Sequence, residues 1–111
     1  MGEDRVDLVP GTLDMMVMKA VSGDAMHGFG IARWVEATTG DRLTVEEGAL
    51  YPALHRMEKR GVLASEWGKT EHGRRARYYR LTDAGRVELA ELRTRWEGSA
   101  WAVRQILDAE A

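Results

Sequence analysis

A mainly α-helical fold carrying a small β-hairpin is what this chain predicts, on three features of its 111 residues. Before residue 61 the apolar residues recur at helical spacing in three separate stretches. Two runs rich in strand-forming residues, 62–67 and 76–81, then flank a polar, arginine-rich loop. From Thr82 almost to the end, apolar residues repeat in steps of three and four, the seam of a helix that packs on another helix.

The elements follow in order. Pro10 and Gly11 mark a turn, Thr12 is placed to cap the first helix, and Asp14 sits in its first turn, where negative charge suits the helix dipole. Leu13, Met15, Met16, Val17, Met18, Ala20 and Val21 cover more than one face of that helix, so it is either a central core helix or one that a second subunit helps to bury. Ser22 to Gly28 reads as a turn with Gly23 and Gly28 as breakers. The second helix follows, with Phe29, Ile31, Trp34 and Val35 inward and Gly40 at its end. Gly30 inside it costs about 1 kcal/mol against alanine, which suggests close packing there.

Thr44 and Glu47 have the spacing of a capping box at the start of the third helix. Leu50, Leu54 and Met57 form its core stripe and Gly61 its C-cap. Val62 to Trp67 and Ala76 to Leu81 are the two strands, with Tyr78 and Tyr79 on opposite faces. The loop Gly68 to Arg75 is too long and polar for a tight hairpin and should project into solvent. Thr82 caps the last helix, whose seam is Leu89, Leu92, Trp96, Ser99, Val103 and Ile106, with Gly98 as a weak point. Three helices, a hairpin with a basic tip and a long final helix make a winged helix-turn-helix. Residues 1–82 are expected to form the winged-helix domain with its N-terminal interface helix, and 83–111 the C-terminal dimerisation helix, in one compact unit.

Composition narrows the function classes. A hydrophobic fraction of 44% and a charged fraction of 31% suit an ordinary soluble domain. No apolar run approaches the roughly 20 residues that cross a bilayer, and the first residues are acidic where a signal peptide would be basic. No membrane association and a cytoplasmic location are expected. Val6 stands where a myristoylation signal needs Ser or Thr. With no cysteine and three scattered histidines (His27, His55, His72), no disulfide, metal or resident cofactor is expected. No Gly-rich phosphate loop, GxSxG or HExxH stands in the chain, so no enzymatic role is expected.

The formal net charge is −2, yet residues 66–80 carry five Lys/Arg against two Asp/Glu. A duplex responds to the local field, so one basic protrusion on an acidic body can still bind it; a merely solvated, charged hairpin is the plainer alternative. In a winged helix the third helix enters the major groove, about 12 Å wide, and its first turns reach the base edges. Those turns hold Glu47, Ala49, Tyr51 and Pro52, with His55 and Arg56 one turn on. Tyr51, next to core Leu50, must lie at the rim, where its hydroxyl can donate to a phosphate; packing against a neighbouring loop is the plainer alternative. Arg56 suits guanine or phosphate. Glu46 and Glu47 oppose phosphate but can accept from cytosine N4. Pro52 either kinks the helix towards the groove or lies in its first turn at little cost. In the loop, Lys69, Arg74, Arg75 and Arg77 would reach the backbone or a narrow minor groove.

Four segments, GTLDMMVMKAV (11–21), MHGFGIA (26–32), VEEGALYPALHRMEKRGVL (45–63) and GRRARYYRLTDAGR (73–86), resemble in order the PadR family of bacterial transcriptional regulators. The resemblance spans nearly the whole chain and is closest to the subfamily with a single shorter C-terminal helix. It implies a winged-helix homodimer joined through the last and first helices, with Leu13, Met16, Leu89, Leu92, Trp96, Val103 and Ile106 at the interface. It also implies an effector-responsive repressor that binds a pseudo-palindromic operator in double-stranded DNA. Position by position, Ala49 and Tyr51 match the groove-reading segment and Arg74, Arg75 and Arg77 the wing. Some members hold flat aromatic compounds between tryptophans at the dimer centre, which points to Trp96 or Trp101, and to Met15, as candidates to bind an unidentified small-molecule effector. The alternative is a winged helix used for protein interaction or small-molecule sensing without direct DNA binding.

Overall fold

A computed structural model describes residues 5–111; the first four residues of the acidic lead, with the Met-Gly start, lie outside the described residues. The elements run α1 (Leu13–Ala20), β1 (Met26–His27), α2 (Gly28–Thr38), α3 (Glu47–Lys59), β2 (Leu63–Lys69), β3 (Arg75–Leu81) and α4 (Asp83–Asp108). Three helices and a three-stranded antiparallel sheet of order β1-β3-β2 enclose one core. Met18, Ile31, Leu50, Leu54, Met57 and Leu63 are its largest fully buried side chains.

The helix starts differ from their sequence readings. Thr12 occupies the N-cap position of α1, but its hydroxyl donates back to the Val9 carbonyl at 2.6 Å and makes no cap bond. The capping box expected at Thr44 and Glu47 does not form: Glu46 is the N-cap residue of α3 and makes no side-chain cap bond, and the Thr44 hydroxyl accepts from the Arg5 guanidinium at 2.9 Å. Gly28, read as a breaker, is the first residue of α2. Its cap is His27, whose Nδ1 accepts from the Gly30 N–H at 3.0 Å. Phe29, expected inward, points into solvent because it stands one position off the buried stripe of Gly28, Ile31 and Val35.

The turn read between residues 22 and 28 contains β1, which pairs Met26 with Tyr79 and His27 with Tyr78 and gives the hairpin a third strand. Helix α3 ends at Lys59 with Arg60 as its C-cap, and Gly61, read as the cap, is the next residue, with a left-handed φ of +84°. Gly61 N–H donates to Glu58 C=O and Val62 N–H to Met57 C=O, the paired bonds that close a helix on a glycine. The hairpin runs further than expected, in register from Leu63 opposite Leu81 to Lys69 opposite Arg75. Its loop shrinks to residues 70–74 and is tied down: Gly73, at φ +77°, donates to Thr70 C=O, and Thr70 N–H donates to Arg74 C=O, both at 2.8 Å. A turn closed by a left-handed glycine is a common short hairpin connection.

Thr82 caps α4 as expected, its hydroxyl accepting from Gly85 N–H at 3.0 Å while donating to Gly61 C=O at 2.7 Å. One side chain thus joins the end of α3 to the start of α4. Gly85 lets the helix lie directly on the hairpin, since a Cβ there would strike the Val62 carbonyl oxygen and sit 2.5 Å from Leu81 Cδ1. Helix α4 runs unbroken through Gly98 for 26 residues, about 39 Å. Its first half packs on α1 through Leu89 and Leu92, and its second half leaves the core, giving an elongated molecule of 58 × 36 × 22 Å. Trp96, Trp101, Val103, Ile106 and Leu107 are exposed along that second half.

Candidate nucleic-acid interface

Helical periodicity sorts α3 into faces. Leu50, Ala53, Leu54 and Met57 are buried, so the opposite side is Gly48, Pro52, His55 and Lys59, all exposed. Pro52 is the sixth residue of α3, beyond the first turn, and the helix continues through it. The carbonyl it deprives of a donor belongs to Gly48, on the same solvent-facing side, where water can replace the lost bond. His55 and Lys59 have no partner among the described residues. Glu46 and Glu47 stand exposed at the helix start, where their charge suits the dipole.

The two flanks of α3 are tied to different neighbours. On one side Arg56 pairs with Asp14 of α1 at 3.1 Å, and Arg60 bridges Asp14 at 3.5 Å and Glu88 of α4. The hydrogen bond that Arg60 donates to the Glu88 carboxylate is the main reason its pKa rises above its usual value. Arg56, expected to contact guanine or phosphate, is therefore engaged with Asp14 of α1. On the other side Glu58 accepts from the Ser65 hydroxyl at 2.5 Å and pairs with Arg77 at 3.4 Å, and Arg77 Nε donates to Ser65 Oγ at 2.7 Å. Helix α3 is thus pinned to the sheet through Arg77, and to α1 and α4 through Arg56 and Arg60.

Tyr51 lies on the sheet-side flank and leans over the start of α2. A Cβ on Gly28 would stand 2.7 Å from its hydroxyl oxygen, so glycine is what lets the ring approach. Close packing expected at Gly30 occurs instead at Gly28; a Cβ on Gly30 would meet the His27 ring and Met26 Cβ at ordinary contact distances of 3.5–3.8 Å. The Tyr51 hydroxyl makes no hydrogen bond among the described residues.

Between α2, Tyr51 and the hairpin opens a cleft of about 1140 Å³ lined by Phe29, Arg33, Tyr51, Trp67, Arg74, Arg75 and Arg77 among others. Alternation along β2 and β3 places Ser65, Trp67 and Lys69 on one face with Arg75, Arg77 and Tyr79, the face continuous with the core. The four wing cations named from the sequence are not equivalent. The side chains of Lys69 and Arg74 have no partner among the described residues, whereas Arg75 stacks on Trp67 at 4.2 Å and Arg77 lies 5.3 Å from the same ring.

Sequence reasoning missed Phe29, Arg33 and Trp67 as parts of this surface. Arg33 stands 5.9 Å from the Phe29 ring and 4.0 Å from Glu36. The one signal for Trp67 in the sequence is its alternation with Glu66 along the strand. Of the residues considered for an effector, Met15 and Trp96 line one small groove with Pro10, Leu92 and Ser99, and Trp101 lies outside it.

The chain matches the model of the Transcriptional regulator PadR-like family over residues 17–91. It is 43% identical over 67 residues to Transcriptional regulator Rv3488 of Mycobacterium tuberculosis, a stretch that covers 60% of this chain and 59% of that protein. A crystal structure of a PadR family transcriptional regulator from Eggerthella lenta superposes with a TM-score of 0.76 at 31% identity, covering 90% of this chain and 85% of the other. A PadR-like transcription factor from Bacteroides fragilis gives 0.71 at 30% identity, covering 86% and 90%. No described helix is long and apolar enough to cross a membrane. A winged helix with a basic hairpin, matched over most of its length, places this chain in the PadR-like family of transcriptional regulators.

Proposed function

We propose that the chain acts as a homodimeric, sequence-specific DNA-binding repressor, released from its operator by a small-molecule effector. The observation that carries the DNA-binding part is the juxtaposition of an unpaired, outward-facing side of α3 with an arginine-rich hairpin across one cleft. In this reading Gly48, Pro52, His55 and Lys59 face the major groove. Tyr51 donates its free hydroxyl to a phosphate, and the wing reaches the backbone or the adjacent minor groove. Two copies joined through α4 and α1 would set their recognition helices about one helical turn apart on a pseudo-palindromic site.

The dimer reading is supported by the apolar seam that α4 exposes beyond the core, from Trp96 to Leu107. The effector reading is supported by the groove at Met15 and Trp96, which lies where that seam meets α1 and which a second copy would deepen. Exposed Glu46 and Glu47 favour the alternative of protein interaction, since they oppose phosphate at the helix tip.

Duplex binding by the wild-type chain and by the Arg74→Ala, Arg75→Ala, Arg77→Ala triple variant tests the proposal. The triple change should weaken binding to every sequence and flatten the salt dependence, whereas Tyr51→Phe should remove one phosphate contact, a loss of about three- to tenfold. Unchanged affinity of the triple variant at moderate salt would refute the wing assignment.

A further inference from the structure

We infer that Trp67 is a positioning residue for specificity: its ring holds Arg75 and Arg77 as a fixed pair of guanidinium groups, through which the wing tells one duplex from another. The inference rests on the DNA-binding reading and deepens it.

The hairpin does not need a tryptophan at this place for its own burial. Its core end is supplied by Leu63, Tyr79 and Leu81, and Trp67 is 54% exposed on the face that looks into the cleft. It stands directly opposite Arg77 in the register, and Arg75 is the diagonal neighbour on the same face. The Arg75 guanidinium lies 4.2 Å from the ring centroid and that of Arg77 5.3 Å, both within the range where the ring quadrupole attracts a cation. Arg77 is held a second time by Ser65 and Glu58. Lys69 and Arg74, at the tip, have nothing comparable.

Two kinds of cation therefore sit on one wing. A free Lys or Arg follows phosphates wherever they lie and adds affinity without much discrimination. A guanidinium whose direction is already set engages well only where the groove has the width and potential that suit it, so it converts DNA shape into a difference in affinity. An aromatic ring at residue 67 makes the second kind out of Arg75 and Arg77.

The test uses the full chain and two duplexes of equal length, one selected from a randomised pool by the wild-type protein and one of unrelated sequence. Trp67→Ala should lower the ratio of the two affinities about five- to tenfold, the loss falling mainly on the selected duplex. Trp67→Phe, which keeps a ring, should restore most of the ratio; Trp67→Leu, which keeps apolar bulk without the quadrupole, should not. Arg75→Ala should lower the ratio in the wild type and have little further effect beside Trp67→Ala. An equal loss on both duplexes, or a leucine variant as selective as the phenylalanine one, would overturn the inference while leaving DNA binding intact. The Phe and Leu variants decide the matter even if the alanine variant fails to fold. A wild-type chain that enriches no duplex would overturn the DNA-binding reading itself, and the role of Trp67 with it.

Discussion

Gly28 and Tyr51 fit together with no room for a methyl group: a Cβ on Gly28 would stand 2.7 Å from the Tyr51 hydroxyl oxygen and 2.8 Å from Cε1. The atoms it would strike are the far end of a partly exposed side chain, so the ring can swing away while the backbone stays. Gly28→Ala should therefore shift the melting temperature by no more than about 4 °C, the equivalent of roughly 1 kcal/mol or less, yet weaken duplex binding as much as Tyr51→Ala does. Melting and gel-shift measurements on the two variants check this. A Gly28→Ala chain that binds as the wild type does would show that the Tyr51 position is irrelevant to DNA.

Gly85 poses the opposite case. The obstacle to a side chain there is the Val62 backbone carbonyl together with Leu81, neither of which can yield cheaply. Gly85→Ala should cost about 1–3 kcal/mol by overpacking, read as a fall in the urea midpoint at unchanged slope.

Tyr79 couples stability to alkaline pH. Burial raises its pKa above the ordinary value of 10, with Glu58 adding to the rise and Arg77 opposing it. The unfolded chain therefore loses this proton at lower pH than the native one. The stabilisation is complete below pH 10 and lost as pH climbs through the folded pKa. Tyr79→Phe should reduce the alkaline loss of stability, measured by urea unfolding at neutral pH and above pH 10.

The outer half of α4 bears on assembly. Val103 and Ile106 are exposed in the single chain, so a charge on either costs the fold little, whereas the same charge in a helix-to-helix seam would be costly. Val103→Asp and Ile106→Asp should keep their helical content while light scattering falls from the mass of two chains to that of one. A wild-type chain that is a single copy at tens of micromolar would contradict the dimer.

Local signals carried most of the architecture. Thr82 followed by an apolar repeat announced α4, the Leu50, Leu54 and Met57 spacing announced α3, and Gly61 marked its end. What escaped was what depends on residues far apart in sequence. β1 is two residues long, too short for any period, and exists because Tyr78 and Tyr79 lie beside it. His27 is an uncommon cap, recognisable only once its ring is seen against the Gly30 N–H. Arg56 and Arg60 carry no sign in the sequence that Asp14 and Glu88 will engage them. Charge pattern alone likewise made the wing cations look alike, when the Trp67 ring divides them into held and free.

Titrating the affinity of the wild-type chain for a selected duplex against salt, with two chains per duplex, bears most directly on the DNA-binding proposal. If each wing neutralises about three phosphates, log affinity should fall against log salt with a slope of roughly −5 from the two wings. Affinity that is absent for every duplex, or that does not change with salt, would contradict it.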